Sequence, residues 1–388
     1  MKKTIVKILS YVLVAAVAAG TAVACCVLSQ RKDMDKLEYV RMLVEQCYIG
    51  EADRKTMDDA AAAAMVAAIG DRWSHYMTAE EYLDYQDTMA NSYVGVGITI
   101  QVREDGSGLD VLDVSAGGGA EEAGILPGDR IIAVDGKSVA GMSGTESGAL
   151  IKGEENTSVK LTVLRNEQQL ELSVMRKRIE TAVATYELLE GNVGLVTIEN
   201  FDQRCAEESI AAIDALLEQG AQSLIFDVRN NPGGYKTEMV KLLDYLLPEG
   251  VLFRSEDYLG RESVDESDAD CLEIPMAVVV NLNSYSAAEF FAAALSEYDA
   301  AVVVGEQTFG KGYFQNTFAL PDGSAVNLSI GKYYTPDGNS LAGVGLAPDI
   351  PVAVDEETAA LIYYDQVDPM EDLQILEAIN ALNAGNTP

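Results

Sequence analysis

Residues 281–315, NLNSYSAAEFFAAALSEYDAAVVVGEQTFGKGYFQ, follow the apolar run Met276–Val280, which predicts a buried strand. Their alanine- and phenylalanine-rich part predicts a helix, and Ala301–Val304 predicts a second strand that leads into a glycine-flanked lysine. This order places Ser286 at a strand-to-helix turn. A hydroxyl at such a turn lies beside the unpaired N–H groups of a helix start, which can hold a developing oxyanion. Ser286 is therefore the candidate nucleophile, and Ala287 follows it.

The sequence restricts the choice of a base for Ser286. His75, the single histidine, lies far upstream in a region of helical pattern, so a Ser-His-Asp triad is disfavoured although it stays open. The other common base is a lysine whose pKa is lowered by burial from about 10.4. Lys311 is the candidate. Its pKa would have to fall by about 3, on the order of 4 kcal/mol, for the amine to be neutral near pH 7.

The paired motifs N-S-Y-S-A-A-E and G-E-Q-T-F-G-K-G-Y-F-Q, with 25 residues from Ser286 to Lys311, resemble those of the carboxyl-terminal processing peptidases, the tail-specific serine proteases of family S41. The resemblance implies that Ser286 is the nucleophile and Lys311 the general base. It also implies that Gln315 orients the lysine, with Glu289 and Thr308 in supporting roles. No cofactor and no metal is implied.

Each of these residues also has an ordinary structural interpretation. Ser286 would serve as a helix N-cap, and Glu289 as an acid favoured in a first helical turn by the helix dipole. Lys311 would be a solvated loop residue. The joint occurrence of all three at the family's spacing favours catalysis.

An upstream motif extends the resemblance. The strand predicted at 223–228 runs into R-N-N-P-G-G, and the resemblance implies that the N–H of Gly233 joins that of Ala287 in an oxyanion site. A glycine suits this position because the backbone must approach the substrate closely. Each such donor is worth on the order of 3 kcal/mol in the transition state. Asp227 and Arg229 are expected to brace the loop by hydrogen bonds, and an ordinary turn after a strand is the alternative interpretation.

From Tyr93 to about Arg178 the sequence consists of short β runs separated by glycine. The run L-P-G-D-R-I-I-A-V-D-G at 126–136, with a helix near 145–151, resembles a PDZ domain. Such domains bind an extended C-terminus as an added strand and hold its carboxylate with loop N–H groups. The resemblance assigns the peptide-binding loop and the first residue of the accepting strand to Val94, Gly95, Val96, Gly97 and Ile98. A tight turn before a strand is the alternative.

Residues 1–30 begin with three lysines and continue without charge from Ile8 to Gln30. These 23 residues are long enough to span a bilayer as a helix. A single-pass anchor is favoured, and a cleaved signal peptide is the alternative. With the family resemblance, this implies a cell-membrane protein whose catalytic part lies outside the cytoplasm, or a secreted one if the segment is cleaved.

Composition excludes some partners. The formal net charge of −35 argues against nucleic acid, because phosphate binding requires a basic surface. Cys47, Cys205 and Cys271 are widely spaced and form no metal-type C-x-x-C, and a catalytic cysteine lacks a second histidine to activate it. Proteins with accessible C-termini are the expected partners, with self-association through the N- and C-terminal regions.

The fold class is therefore α/β (α+β) and multi-domain. The predicted parts are an anchor or signal at 1–30, a helical arm or dimer contact at 31–92, a PDZ domain at 93–180, a crotonase-like S41 α/β protease domain at 181–352, and an acidic, partly helical tail at 353–388 with Leu373–Leu382 packed on the body.

The expected function is serine endopeptidase activity on proteins selected by their C-termini. The alternative from another class is a membrane-anchored PDZ adaptor on an inactive protease scaffold. A crotonase-like acyl enzyme is a third hypothesis, but it needs a coenzyme A pocket and no basic phosphate-binding stretch is evident. Lys332 is a weak second candidate for the base, because its spacing does not match the family.

Overall fold

The computed structural model describes residues 34–385, which fall into two units that divide after Tyr76. In the first unit, α1 (Lys36–Cys47) and α2 (Arg54–Ala67) each begin after an aspartate whose carboxylate accepts a first-turn N–H. All side chains of α1 are exposed or half-buried. Within the described residues no helix is both long and apolar enough to cross a membrane. The segment predicted as an anchor, 1–30, lies outside these residues.

A short strand, β1 (His75–Met77), spans the division between the units. The second unit continues with α3 (Ala79–Met89), whose predicted capping box is present: Thr78 N–H donates to Glu81 at 2.8 Å, and Glu81 N–H donates to Thr78 Oγ1 at 3.3 Å. The chain then enters β2 (Ser92–Gly95).

The predicted PDZ module is a small antiparallel sheet with two helices. Its elements are β3 (Ile98–Val102), β4 (Leu109–Val114), α4 (Gly119–Glu122), β5 (Arg130–Val134), β6 (Lys137–Ser138), α5 (Gly144–Ile151), β7 (Ser158–Arg165) and β8 (Gln168–Met175). The strands lie in the order β3-β4-β5-β7-β8, with β6 on β5. Alternate apolar side chains such as Leu109, Ile131 and Leu161 are fully buried in its core.

The chain enters and leaves this module side by side, because β9 (Lys177–Glu180) pairs antiparallel with β2. Here the predicted loop differs from the structure at two positions, and peptide binding by these two residues stays a prediction. Val94 and Gly95 were assigned to a carboxylate-binding loop, yet they end β2 and pair with Arg178 and Lys177. Their partners lie more than 80 residues away, so the local glycine pattern could not reveal the pairing.

The remaining elements build the predicted protease domain. They are β10 (Ala184–Leu189), β11 (Val193–Ile198), α6 (Cys205–Glu218), β12 (Ser223–Asp227), α7 (Lys236–Leu246), β13 (Gly250–Asp257), β14 (Glu262–Ser267), β15 (Met276–Val280), α8 (Ala287–Glu297), β16 (Ala301–Gly305), β17 (Tyr313–Ala319), β18 (Ala325–Tyr334), β19 (Ile350–Pro351), α9 (Glu356–Tyr363) and α10 (Leu373–Asn383).

The central sheet has the order β10-β11-β12-β15-β16-β19, and only β10 runs antiparallel to its neighbour. The inner strands β15 and β16 are apolar throughout because both faces are covered, whereas the edge strand β10 carries exposed polar side chains. Leu224 and Phe226 point to the face packed by α6, α7 and α8, whereas Ile225 between them points to the other face.

That other face is covered by α10, through Ile375, Ala378 and Ala381. The packing predicted for Leu373–Leu382 is confirmed. The description of 353–388 as a tail was incomplete, since α10 contributes buried core to the sheet.

A second antiparallel sheet joins β13 to both β14 and β18, and β18 to β17. Phe253 of β13 and Tyr333 of β18 contact Phe290 of α8, with ring centroids 5.4 and 5.3 Å from it. This aromatic contact fixes the second sheet against the helix that begins at Ser286.

Candidate active site

Ser286 occupies the strand-to-helix turn that the sequence predicts. Its φ of 59° and ψ of −125° are unusual for a residue with a side chain, and a backbone of this kind costs on the order of 1–3 kcal/mol. The fully buried Ser284 stabilises this turn. Its hydroxyl donates to Val228 O at 2.7 Å and accepts Asn281 N–H at 3.0 Å. Ser286 itself is 4% exposed, and α8 begins at the next residue.

Glu289 joins the nucleophile turn to the lysine loop. Its carboxylate accepts N–H from Ser286 at 2.9 Å, from Gly310 at 2.6 Å and from Lys311 at 2.8 Å, and the hydroxyl of Thr308 at 2.6 Å. Burial raises the pKa of Glu289 above its usual value, and these hydrogen bonds oppose the shift. The structure thus brings the backbones of Ser286 and Lys311 to one buried carboxylate.

Thr308 and Gln315 flank Lys311 in the loop and in β17. Thr308 is buried and also accepts Leu346 N–H at 2.7 Å, so it ties the lysine loop to the segment after β18. The side-chain nitrogen of Gln315 donates to Tyr313 O and to Ser329 Oγ, both at 3.1 Å. Its amide oxygen is the atom to which a lysine can donate, and the orienting role of Gln315 stays a prediction.

Gly233 lies against the nucleophile. Its φ is +90°, and a Cβ at this position would come 2.7 Å from Ser286 Cβ and 2.8 Å from Ala287 N. Only glycine fits, because an added carbon would meet the nucleophile turn, whereas the sequence argument expected the close approach to be to the substrate. However, the N–H of Gly233 donates to Asn231 Oδ1 at 2.8 Å, an acceptor that the prediction did not include. Asn231 is fully buried and is fixed by its own bond to Ile198 O, so a substrate oxygen would have to share this donor.

Asparagines join the Gly233 loop to the nucleophile turn. Asn230 N–H donates to Asn281 Oδ1, and Asn281 Nδ2 donates back to Asn230 Oδ1, both at 3.0 Å. Tyr285 N–H donates to Asn231 O at 3.1 Å. The two segments that carry the predicted oxyanion donors are therefore held together next to Ser286.

The expected brace at Asp227 and Arg229 is present and extends further than predicted. Arg229 contacts Asp227 at 2.6 Å, and its other nitrogen donates to Asp372 at 2.7 Å and to Gln374 at 2.9 Å. All three charged side chains are almost wholly buried. Since Asp372 is the N-cap of α10, this ion pair fastens the C-terminal helix to the loop before Gly233. No sequence signal links two residues so far apart.

Sequence reasoning also missed Tyr333 and Asp202. Burial raises the pKa of Tyr333, whose ring packs on Phe290 in the helix that begins after Ser286. Asp202 Oδ1 would be 2.6 Å from a Cβ at Gly234, and this oxygen has no hydrogen-bond partner among residues 34–385. Burial raises the pKa of Asp202 to about 7. A narrow apolar crevice beside the turn, with no room for a water molecule, is lined by Gly234, Lys236, Met239, Phe253, Ala287, Phe290 and Tyr333.

Known proteins resemble this chain in sequence and in fold. The sequence profile of Peptidase family S41 matches residues 192–352, and a PDZ profile matches residues 111–165. The carboxy-terminal processing protease CtpA of Bacillus subtilis is 34% identical over 334 residues, which cover 85% of this chain and 71% of that protein. The chain belongs to peptidase family S41.

A second relative is longer than this chain. A CtpA-like serine protease of Staphylococcus haemolyticus is 31% identical over 328 residues, 84% of this chain and 66% of the relative. The chain therefore spans about two thirds of that protein's length. A crystal structure from Bacteroides fragilis described as an S41 protease has a TM-score of 0.53 at 17% identity, and it covers 90% of this chain and 98% of that one, which supports the fold.

The PDZ module of the S41 chain has an open edge at β3. On one side β3 pairs with β4, and no strand pairs with its other side among residues 34–385. The turn before it is fixed by carbonyl groups, since Val96 O accepts Ala120 N–H at 2.8 Å and Gly97 O accepts Ser115 N–H at 3.1 Å. Helix α5 packs against β3, where a Cβ at Gly144 would be 3.7 Å from Val102.

His75 and Lys332, the weaker candidates for the catalytic base, both lie at exposed positions. His75 is exposed, and its Nδ1 lies 3.2 Å from Trp73 O. Lys332 is exposed on β18, in register with Glu256 of β13. In the described part of the chain, no cluster of His, Cys, Asp or Glu is grouped to hold a metal ion.

Proposed function

We propose that this chain is a serine endopeptidase in which Ser286 is the nucleophile and neutral Lys311 is the general base. The observation that carries the proposal is the single Glu289 oxygen that accepts the backbone N–H groups of both residues. These two hydrogen bonds hold the nucleophile turn and the lysine loop next to each other. The strained backbone of Ser286 agrees with it, because such strain concentrates at functional sites.

In the proposed reaction, Ser286 Oγ attacks a peptide carbonyl carbon while its proton moves to Lys311 Nζ. The tetrahedral intermediate collapses by breaking the C–N bond, and the lysine ammonium returns the proton to the leaving amine. Water then attacks the acyl-enzyme and gives a proton to Lys311. The ester bond breaks, and that proton returns to Ser286.

The negative oxygen of the intermediate requires donors. The N–H of Ala287 is in the first turn of α8, where no intrahelical acceptor exists. We assign the second donor to Gly233, whose N–H would be shared with Asn231 Oδ1. Gln315 is proposed to hold Lys311 through its amide oxygen.

Substrates are proposed to be proteins with free C-termini, captured along the open edge of β3 and carried to Ser286. Val96 and Gly97 of the module would hold the terminal carboxylate, and Ile98 would begin the strand that accepts the peptide. With residues 1–30 as a membrane anchor, the active site would face the outside of the cytoplasm. Self-association through the N- and C-terminal regions is part of the same proposal.

The test uses the full chain and an unfolded substrate protein that ends in a free apolar residue. Cleavage is followed for the wild type, Ser286→Ala and Lys311→Ala, with Lys332→Ala as the matched control for losing a lysine. We expect cleavage by the wild type and the control, and none by the other two folded variants. Substrate with an amidated C-terminus should be cut more slowly. Binding by the wild type without cleavage would instead establish a PDZ adaptor.

A further inference from the structure

Asn231 connects the glycine loop to its surroundings in two ways. Its side-chain Oδ1 accepts Gly233 N–H at 2.8 Å, and its Nδ2 donates to the carbonyl of Ile198, the last residue of β11, at 2.8 Å. Its backbone carbonyl accepts Tyr285 N–H, next to Ser286, at 3.1 Å. The residue is fully buried. Asn231 therefore joins the glycine loop both to the central sheet and to the nucleophile turn.

The two partners of the Asn231 side chain require an amide. Gly233 offers a donor and Ile198 an acceptor, and a side-chain amide supplies the matching acceptor and donor. An ionised carboxylate can accept the first bond but has no proton for the second. Since a buried polar group that loses its partner is costly, this position favours asparagine over aspartate.

The direction of the Gly233 N–H is fixed by the protein itself. Asn231 Oδ1 accepts this N–H, and Gly233 O accepts Phe201 N–H at 2.7 Å. Gly233 also lies against the other proposed donor, because a Cβ at this position would be 2.8 Å from Ala287 N. A substrate oxygen that accepts both N–H groups must share the Gly233 donor with Asn231 Oδ1. The two acceptors then lie close together, around one hydrogen atom.

The charges of the two acceptors decide how this shared donor acts. A substrate carbonyl is neutral, as is the Asn231 amide, so neither has a large advantage. The oxygen of the tetrahedral intermediate is negative, and a hydrogen bond to a charged acceptor is about twice as strong. The interaction therefore strengthens as the intermediate forms, which is the condition for it to raise kcat.

We propose that Asn231 is a positioning residue for the oxyanion site: its uncharged Oδ1 aims the Gly233 N–H and gives up that donor to the negative oxygen of the intermediate. Asn231 acts through Gly233 and bonds to no reacting atom. The inference rests on the proposed peptidase function and on Gly233 as one of the oxyanion donors.

The first test is the pH dependence of kcat in Asn231→Asp, measured on the full chain. The variant keeps the size and the acceptor, but when ionised it adds a charge beside the developing oxyanion. We expect kcat at about pH 8 to fall at least about 100-fold with KM within about threefold, since the substrate carbonyl is neutral. The protonated acid is neutral and can donate to Ile198 O, so the ratio of variant to wild-type kcat should rise at least about 10-fold by about pH 5. The ratio cancels the pH dependence of Lys311, which both enzymes share.

Asn192→Asp is the matched control for the added charge. Asn192 is exposed at the turn before β11, and the parallel strands β11, β12 and β15 place it at the opposite edge of the sheet from Ser286. This variant should keep the wild-type kcat at every pH. A kcat ratio for folded Asn231→Asp that is constant with pH, or a loss that appears in KM, overturns the proposal.

The second test needs no variant of Asn231. A peptide boronic acid is added to the isotope-labelled full chain. Ser286 Oγ bonds to the boron and its proton passes to Lys311, which leaves a tetrahedral adduct with a negative charge. We expect the Gly233 amide-proton resonance to move downfield in the adduct, and to stay in place when an uncleaved substrate peptide binds to Ser286→Ala. A resonance that does not move in the adduct contradicts the proposal.

These outcomes separate the role of Asn231 from the peptidase function. If the wild type cuts substrate but either test fails, the peptidase proposal stands and the role of Asn231 is wrong. If the wild type neither cuts substrate nor forms the adduct, the peptidase proposal fails, and this inference fails with it.

Discussion

Ser286 and Lys311 are held by the same carboxylate oxygen, since Glu289 Oε2 accepts the N–H of Ser286 at 2.9 Å and that of Lys311 at 2.8 Å. The other oxygen accepts Thr308 Oγ1 and Gly310 N–H. A wholly buried carboxylate is normally paired with a cation or accepts several strong hydrogen bonds. At Glu289 backbone and hydroxyl donors fill that role, so one side chain joins the two loops, which are also linked by the bond from Phe309 N–H to Ser284 O at 3.2 Å.

Glu289→Gln should therefore damage both stability and activity. One amide oxygen can accept only part of this set, and the amide NH2 would face N–H groups that also donate. We expect the free energy of unfolding to fall by about 2–4 kcal/mol, and cleavage to fall at least about 100-fold. Urea unfolding and initial rates give the two values. Thr308→Ser, which keeps the hydroxyl, is the control. Near-normal cleavage rates in Glu289→Gln would contradict the role given to the shared oxygen.

Gly233→Ala should abolish activity by contact with the nucleophile rather than by backbone strain alone. Gly220 provides the matched control, because its φ of +98° is similar and a Cβ there would meet nothing within 4 Å. Both substitutions incur the positive-φ cost, on the order of 1 kcal/mol. Only Gly233→Ala forces a Cβ to 2.7 Å from Ser286 Cβ. Equal loss of cleavage in the two variants would show that the contact is unimportant.

Local sequence order predicted the nucleophile and its turn because β15, Ser286 and α8 are consecutive in the chain. The lysine loop followed from the same stretch. What failed were the relationships between distant segments. Val94 and Gly95 pair with a strand beyond the PDZ module, and Arg229 pairs with Asp372, 143 positions away. Tyr333 meets Phe290 only because the second sheet packs on α8, and such packing leaves no periodic pattern at Tyr333.

Asp372→Ala should loosen α10 and the loop before Gly233 together. The substitution removes the helix N-cap and one of the two carboxylates around buried Arg229. Breaking a buried pair in this way costs about 3–5 kcal/mol. Asp355→Ala is the matched control, since Asp355 caps α9 at an exposed site and its loss should cost about 1 kcal/mol. Hydrogen exchange at 373–383 should rise only in the first variant. Equal unfolding midpoints for both would contradict the proposed brace.

Asp202 should make stability fall as pH rises. Its pKa is about 7 in the folded chain and 3.8 without burial, so the folded state binds the extra proton between these values. The free energy of unfolding must therefore decrease from about pH 4 to about pH 7 and stay reduced above that range. Asp202→Asn removes this dependence. We expect it to stabilise the chain at about pH 8 by up to about 4 kcal/mol and to match the wild type near pH 3.

Thermal unfolding from about pH 3 to about pH 8 checks this prediction. Cys205, Tyr85 and Tyr235 are the ionisable neighbours of Asp202, and burial raises the pKa of each of them, so none gains charge in this range. Asp113→Asn, at an exposed position on β4, is the control and should leave the pH profile unchanged. If the stability of Asp202→Asn varied with pH in the same way as that of the wild type, this carboxyl would not be the source of the pH dependence.

The ion pair between Arg229 and Asp372 also has a consequence for the order of events during synthesis. The two residues are 143 positions apart, and the ribosome makes the aspartate last. A growing chain that has reached α9 already contains Ser286, Lys311 and the glycine loop, but one face of its central sheet is bare and Arg229 lacks its second carboxylate. The loop before Gly233 thus receives its second carboxylate only after both residues of the proposed dyad have been made, so its final bracing comes later than the synthesis of the site that it supports.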